Sequence, residues 1–187
     1  FGKGKRHKRA NVPCVGLNRS RRKPFLYPKK GKPCPHAIFE GMQRIRILHG
    51  PNVRYIGQGR EPEWYGELPW ERFWEQLQAR YAQRVELTYL ESAYEGQLIE
   101  WVWEVESYDG LVVNFGALSH TSYALYDALR GCGKPSIEVH VSHVFKREGF
   151  RHDLVTARAC RGVIVGLGWW GYVLAVEALL QVGWPKG

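Results

Sequence analysis

Arg44-Ile45-Arg46-Ile47-Leu48-His49-Gly50-Pro51-Asn52 is the stretch on which the fold turns. Apolar residues alternate with arginines and then run together, as in a strand with one end buried, and Gly50-Pro51 stops it. Outward from this first strand the pattern changes period repeatedly. Pro69, suited to a helix first turn, opens a helix from Trp70 to Gln83, with Trp70, Phe73, Trp74, Leu77 and Tyr81 at helical spacing. Val85 to Leu90 reads as a strand, and Glu95 to Val105 as a helix with Leu98, Ile99, Val102 and Val105 inward. Gly110 to Asn114 is a short buried strand, and a helix from about His120 to Leu129 follows it. Ser136 to His140 and Gly162 to Gly166 are two more strands, and a helix from Trp170 to about Val182 closes the pattern. Strands alternating with helices predict an α/β fold with a five-stranded parallel sheet covered on both faces. Its site is expected at the C-terminal strand ends.

Four blocks fall at those ends: Leu48 to Asn52, Gly59 to Gly66, Asn114 to Ser122, and Glu138 to Ser142 continuing through Phe145 to Arg151. They are rich in Arg, His, Tyr, Asn and Glu, which is unusual for loops that only connect. In order and spacing the four blocks resemble the type II 3-dehydroquinate dehydratases, and the resemblance covers about three quarters of the chain. It implies a flavodoxin-like three-layer fold over residues 44–187. It also implies anti elimination of water from 3-dehydroquinate through an enolate, the lyase step of the shikimate pathway.

The resemblance assigns roles. Tyr65 is the base, and Arg60 and Arg147 favour its phenolate, since tyrosine otherwise titrates near 10. Asn52 holds the water that stabilises the enolate oxygen. His140 is the general acid, oriented by Glu138 two residues earlier on the same strand face. Asn114, His120 and Arg151 bind substrate hydroxyls, while Ser142 and the backbone of Val141 take the carboxylate. Asp127 completes the site of a neighbouring subunit, which implies trimers grouped into a dodecamer. No cofactor and no metal is implied. Taken singly, a loop tyrosine or a strand histidine is more often a packing residue; the four blocks together carry the reading.

The chain also departs from the family pattern. The segment between Asn52 and Arg60 is one residue longer than expected, in the lid that carries Arg60 and Tyr65, where a shifted arginine costs rate steeply. His49 stands where the family usually has Asn, His143 also replaces an Asn, and Phe115 stands where a small residue or proline is usual and could crowd the substrate. Gly166-Leu167-Gly168-Trp169-Trp170-Gly171 matches GxGxxG, but it follows the last strand and leaves no room for a further βα unit with its ribose-binding acid. The family has the same glycines without a dinucleotide. The bulky Trp169 and Trp170 suggest either a protein or RNA contact or simple helix packing.

Charge divides the chain. The net charge is +9, yet residues 1–46 hold 14 Lys and Arg against the single acid Glu40, and the remainder has 13 bases and 17 acids. Residues 1–43 are rich in Gly, Pro, Lys and Arg without helical or alternating period, and on their own cannot bury enough surface to offset their ordering entropy. Such an arm fits a polyanion, with Lys3, Lys5, Arg6, Lys8, Arg9, Arg19, Arg21, Arg22, Lys23, Lys29, Lys30 and Lys32 as phosphate contacts and Phe25 and Tyr27 able to stack on bases. Cys14, Cys34, His7 and His36 fit no standard zinc spacing, and the four cysteines read as free thiols in a reduced compartment. No run of about 18 apolar residues occurs, so no membrane span is expected.

Two functions follow. The first expectation is an RNA-binding structural subunit of a large ribonucleoprotein, an organellar ribosome in the mitochondrial matrix, touching ribosomal RNA and neighbouring ribosomal proteins through the arm. Phe1 in place of Met is compatible with a removed organellar presequence. The alternative is an active dehydratase, cytoplasmic or organellar, converting 3-dehydroquinate to 3-dehydroshikimate as a trimer or dodecamer. A flavodoxin-like nucleotide binder fails for lack of a phosphate loop.

Overall fold

The computed structural model describes residues 42–59 and 61–181. The expected arm therefore lies almost wholly outside the described residues, together with its twelve named bases, Cys14, Cys34 and Arg60. The five expected strands form within a residue or two of their expected ends: β1 Gln43–His49, β2 Val85–Glu91, β3 Gly110–Asn114, β4 Ser136–His140 and β5 Gly162–Val165. All pairs are parallel, in the order β2-β1-β3-β4-β5. The order reverses between β1 and β3, the place where α/β sheets open a ligand crevice.

Helices cover both faces because successive strand residues point to opposite sides. Ile45 and Ile47 of β1, Val112 of β3 and Ile137 and Val139 of β4 pack on one side. There they meet α2 (Trp70–Tyr81) through Trp70, Phe73, Leu77 and Tyr81, and α5 (Trp170–Leu180) through Tyr172, Val173, Val176 and Leu179. Leu48, Leu111 and Val113 face the other way, against α3 (Glu95–Trp103) and α4 (Tyr123–Gly131). The alternating arginines of β1 are tied down at the end remote from the site. Arg44 forms an ion pair with Asp109 at 2.9 Å, and Arg46 reaches the Trp101 carbonyl and Glu104.

Two expectations change. The helix read from His120 begins at Tyr123; Gly116–His120 is instead a 3-10 turn. Ser122 is extended (φ −90, ψ 99), which interrupts the winding after the turn, and its hydroxyl accepts from the Leu125 N–H at 2.9 Å to start α4 afresh. A short helix, α1 (Pro62–Tyr65), forms where none was read, with Pro62 in its first turn and Gly66 at its end with φ 75.

The GxGxxG segment has packing work. The N–H groups of Gly166 and Gly168 bond the carbonyls of His140 and Val141, tying the loop after β5 to the end of β4. A Cβ on Gly171 would lie 2.9 Å from Val139 Cγ1, so glycine lets α5 settle on the sheet. Trp169 is a packing residue, stacked on Phe73 with its indole N–H on the Leu68 carbonyl at 2.8 Å, whereas Trp170 is exposed.

Candidate active site

The loops after β1, β3 and β4 line one narrow, open-mouthed cleft. Of the residues named from sequence, Tyr65, Asn114, His120, His140, Val141, Ser142, Arg147 and Arg151 line it, with Val53, Ile56, Gly116, Ala117 and Val144 between them. Glu138 lies beneath, fully buried in β4. Asn52 is exposed, in left-handed backbone with φ 71 at the start of the 3-10 turn Val53–Tyr55, and is not among the lining residues. Asp127 is exposed on α4, outside the cleft.

The floor is built by close backbone approach. The Gly50 N–H bonds the Asn114 carbonyl at 2.9 Å, and a Cβ on Gly50 would meet the Phe115 carbonyl oxygen at 2.2 Å. Only glycine brings the ends of β1 and β3 so near. Phe115 does not crowd the cleft as expected: it is fully buried in the apolar cluster under α3 and α4, on the opposite side from Asn114. Its backbone (φ −81, ψ 8) leaves the extended path of β3 directly after Asn114, and the ring goes to the other face of the sheet.

One wall carries the Tyr65–Arg147 pair. Arg147, from the loop after β4, donates through Nη1 to the Tyr65 hydroxyl at 2.5 Å and through Nη2 to Glu61 at 2.7 Å. Its guanidinium carbon also sits 5.3 Å from the Tyr65 ring centroid. Burial pulls the Arg147 pKa down, but the Tyr65 oxygen, Glu61 and Glu148 outweigh it and the guanidinium is held above its usual value. It is a fixed positive charge beside a phenolic oxygen.

The opposite wall carries histidines. His140 Nε2 meets Glu138 Oε1 at 2.7 Å, both side chains being buried. A carboxylate only accepts, so Nε2 carries the proton and Nδ1 is the nitrogen left toward the cleft. Glu138 Oε2 accepts a hydrogen bond from Thr156 at 2.5 Å. The His120 ring stacks 5.8 Å from His140, and its Nδ1 donates to the Asp153 carbonyl at 2.9 Å. Burial lowers the His120 pKa, only partly offset by that bond, and His140 and Arg151 push the same way.

Behind Asn114 lies a second buried chain. Asn114 Nδ2 donates to the Tyr172 hydroxyl at 2.9 Å, and that hydroxyl lies 2.7 Å from His49 Nε2. Burial lowers the His49 pKa to about 3, so the ring is neutral and accepts the Tyr172 proton at Nε2. Trp70, Tyr89 and Tyr172 present their rings edge-on or tilted around this histidine and each other. Thr156, Tyr172 and Glu61 were not singled out from sequence. The one available signal was Glu138 itself, since a strand carboxylate inside a sheet needs a donor on each oxygen.

Comparison with known proteins matches the model of the family described as dehydroquinase class II over residues 43–180. The 3-dehydroquinate dehydratase of Deinococcus radiodurans is 50% identical over 141 residues, which span 74% of this chain and 98% of that protein. That of Bacillus subtilis is 45% identical over 142 residues, 75% of this chain and 95% of the other. The crystal structure of type II dehydroquinase from Butyrivibrio crossotus superposes with a TM-score of 0.72 at 36% identity, covering 75% of this chain and 99% of that one.

These comparisons overturn the ribonucleoprotein expectation. The relatives are 3-dehydroquinate dehydratases matched over almost their whole length, and the arm from which a ribosomal role was read lies outside the described residues. A family model that matches from β1 to the end of α5, with relatives up to half identical, places this chain in the class II dehydroquinase family.

Proposed function

We propose that this chain dehydrates 3-dehydroquinate to 3-dehydroshikimate. The observation that carries the reading is Arg147 donating to Tyr65 in the same cleft as the buried His140–Glu138 pair. The Tyr65 oxygen, which accepts from Arg147 and which the resemblance also sets beside Arg60, takes the proton next to the ketone. The electron pair moves onto the ketone oxygen, where a water held by Asn52 stabilises the enolate. Collapse of the enolate expels the hydroxyl, which takes the Nδ1 proton of the His140 imidazolium and leaves as water, while the Nε2 proton stays in its bond to Glu138. Glu138 stabilises the imidazolium and holds it in register, and return of the Tyr65 proton to His140 through solvent resets the site.

Asn114, His120 and Arg151 bind the substrate's hydroxyls, while Ser142 and the Val141 backbone N–H take its carboxylate. Asp127 serves the cleft of a neighbouring subunit in a trimer, a reading supported by its exposure on α4. Purified protein mixed with 3-dehydroquinate should generate the ultraviolet absorbance of the conjugated product at a rate proportional to protein. Folded protein that generates none would refute the reading.

A further inference from the structure

We propose that Thr156 is a positioning residue for the proton donor, the third member of a buried chain Thr156–Glu138–His140. This inference rests on the dehydration reaction proposed above. Glu138 has no exposed surface, so its charge has no water to lean on and every stabilising donor must come from the protein. It has two carboxylate oxygens and each has a different partner. Oε1 accepts from His140 Nε2 at 2.7 Å, and Oε2 accepts from the Thr156 hydroxyl at 2.5 Å. The hydroxyl has a single proton, and its other oxygen neighbour, the Ser119 carbonyl, is a full 3.5 Å away, so the proton goes to Glu138.

Thr156 arrives from the 3-10 turn Thr156–Ala159, between the cleft loops and β5, and is itself fully buried. It is not among the residues that line the cleft. Its effect therefore passes through Glu138. An anchored Oε2 fixes Oε1, and a fixed, charged Oε1 holds one proton on His140 Nε2 and turns Nδ1, with the second proton of the imidazolium, to the leaving hydroxyl. With Thr156 removed, one oxygen of a buried carboxylate lacks a donor, and the carboxylate no longer specifies the tautomer or the angle of the ring. The loss falls on the departure of the hydroxyl, not on substrate binding.

Thr156→Val keeps the shape and removes only the donor, and Thr156→Ser keeps the donor. Steady-state kinetics should show kcat reduced roughly 10–100-fold in Thr156→Val with KM within about twofold, and Thr156→Ser within about threefold of wild type. Wild-type kcat in a folded Thr156→Val, or a change confined to KM, overturns the proposal. If Val fails to fold, the ratio of Thr156→Ser to Thr156→Ala reads the same effect. If wild-type protein does not turn over, the function reading falls, and the positioning claim is read separately from ¹⁵N shifts of the His140 imidazole. Once the ring is titrated to its neutral form, a single Nε2–H tautomer in wild type and a mixture in Thr156→Val supports it; identical spectra overturn it.

Discussion

Arg147 joins Tyr65 and Glu61 with one guanidinium, donating to the phenol at 2.5 Å and to the carboxylate at 2.7 Å. The loop after β4 thus holds α1 from two directions, and the same group supplies the charge beside the phenolic oxygen. With a side chain only 2% exposed, Arg147 acts where water does not screen it. The position of the lid and the electrostatics of the base depend on one residue.

Arg147→Lys is expected to lower kcat/KM by roughly 10²–10³-fold, because an ammonium cannot present two parallel N–H groups to Tyr65 and Glu61 together. Steady-state kinetics with a check of the circular dichroism spectrum measures this. Loss within threefold would mean that charge alone, without the fork, supports Tyr65.

Tyr172→Phe tests the chain behind Asn114. It leaves Asn114 Nδ2 and His49 Nε2 without their partner in a buried site, at a cost of about 1–3 kcal/mol in unfolding free energy. With the Asn114 carboxamide free to turn, KM should rise more than kcat falls. Denaturant unfolding and kinetics read the two effects, and an unchanged midpoint with unchanged KM would remove any role for the chain.

His49 makes the fold sensitive to acid. Its folded pKa, lowered by burial to about 3, lies below the unfolded value of about 6.5. As pH falls, the unfolded chain takes the proton first. The contribution of neutral His49 is therefore complete above about 6.5 and is lost between there and about 3, by up to about 1.4 kcal/mol per pH unit. Relative to His49→Gln, the wild-type protein should lose roughly 2 kcal/mol more between pH 7 and pH 5. Parallel stability curves for the two proteins would contradict it.

The sheet and most of the cleft were legible in the sequence because their signals are local. Apolar runs bounded by Gly50-Pro51, Gly110 and Gly162 mark strands, and parallel strands put the following loops on one edge, which gathers Tyr65, Asn114, His140 and Arg147. The side to which Phe115 points depends on where the chain leaves the extended path of β3, which a comparison with smaller residues does not carry. The break before α4 was hidden because no glycine or proline stands between His120 and Leu129; Ser122 was the local mark of the true start. Thr156 and Tyr172 escaped notice because their partners, Glu138 and Asn114, stand 18 and 58 residues away, and a hydrogen bond across that distance leaves no periodic trace.

Tyr65 as base is the centre of the account, and Tyr65→Phe is its most direct measurement. The variant keeps the ring over Arg147 and removes only the oxygen. Assayed with 3-dehydroquinate beside wild type, it should show wild-type unfolding behaviour and a kcat lower by roughly 10³-fold or more. A Tyr65→Phe protein that dehydrates 3-dehydroquinate within about tenfold of the wild-type rate would contradict the assignment and move the proton abstraction to another group in the cleft.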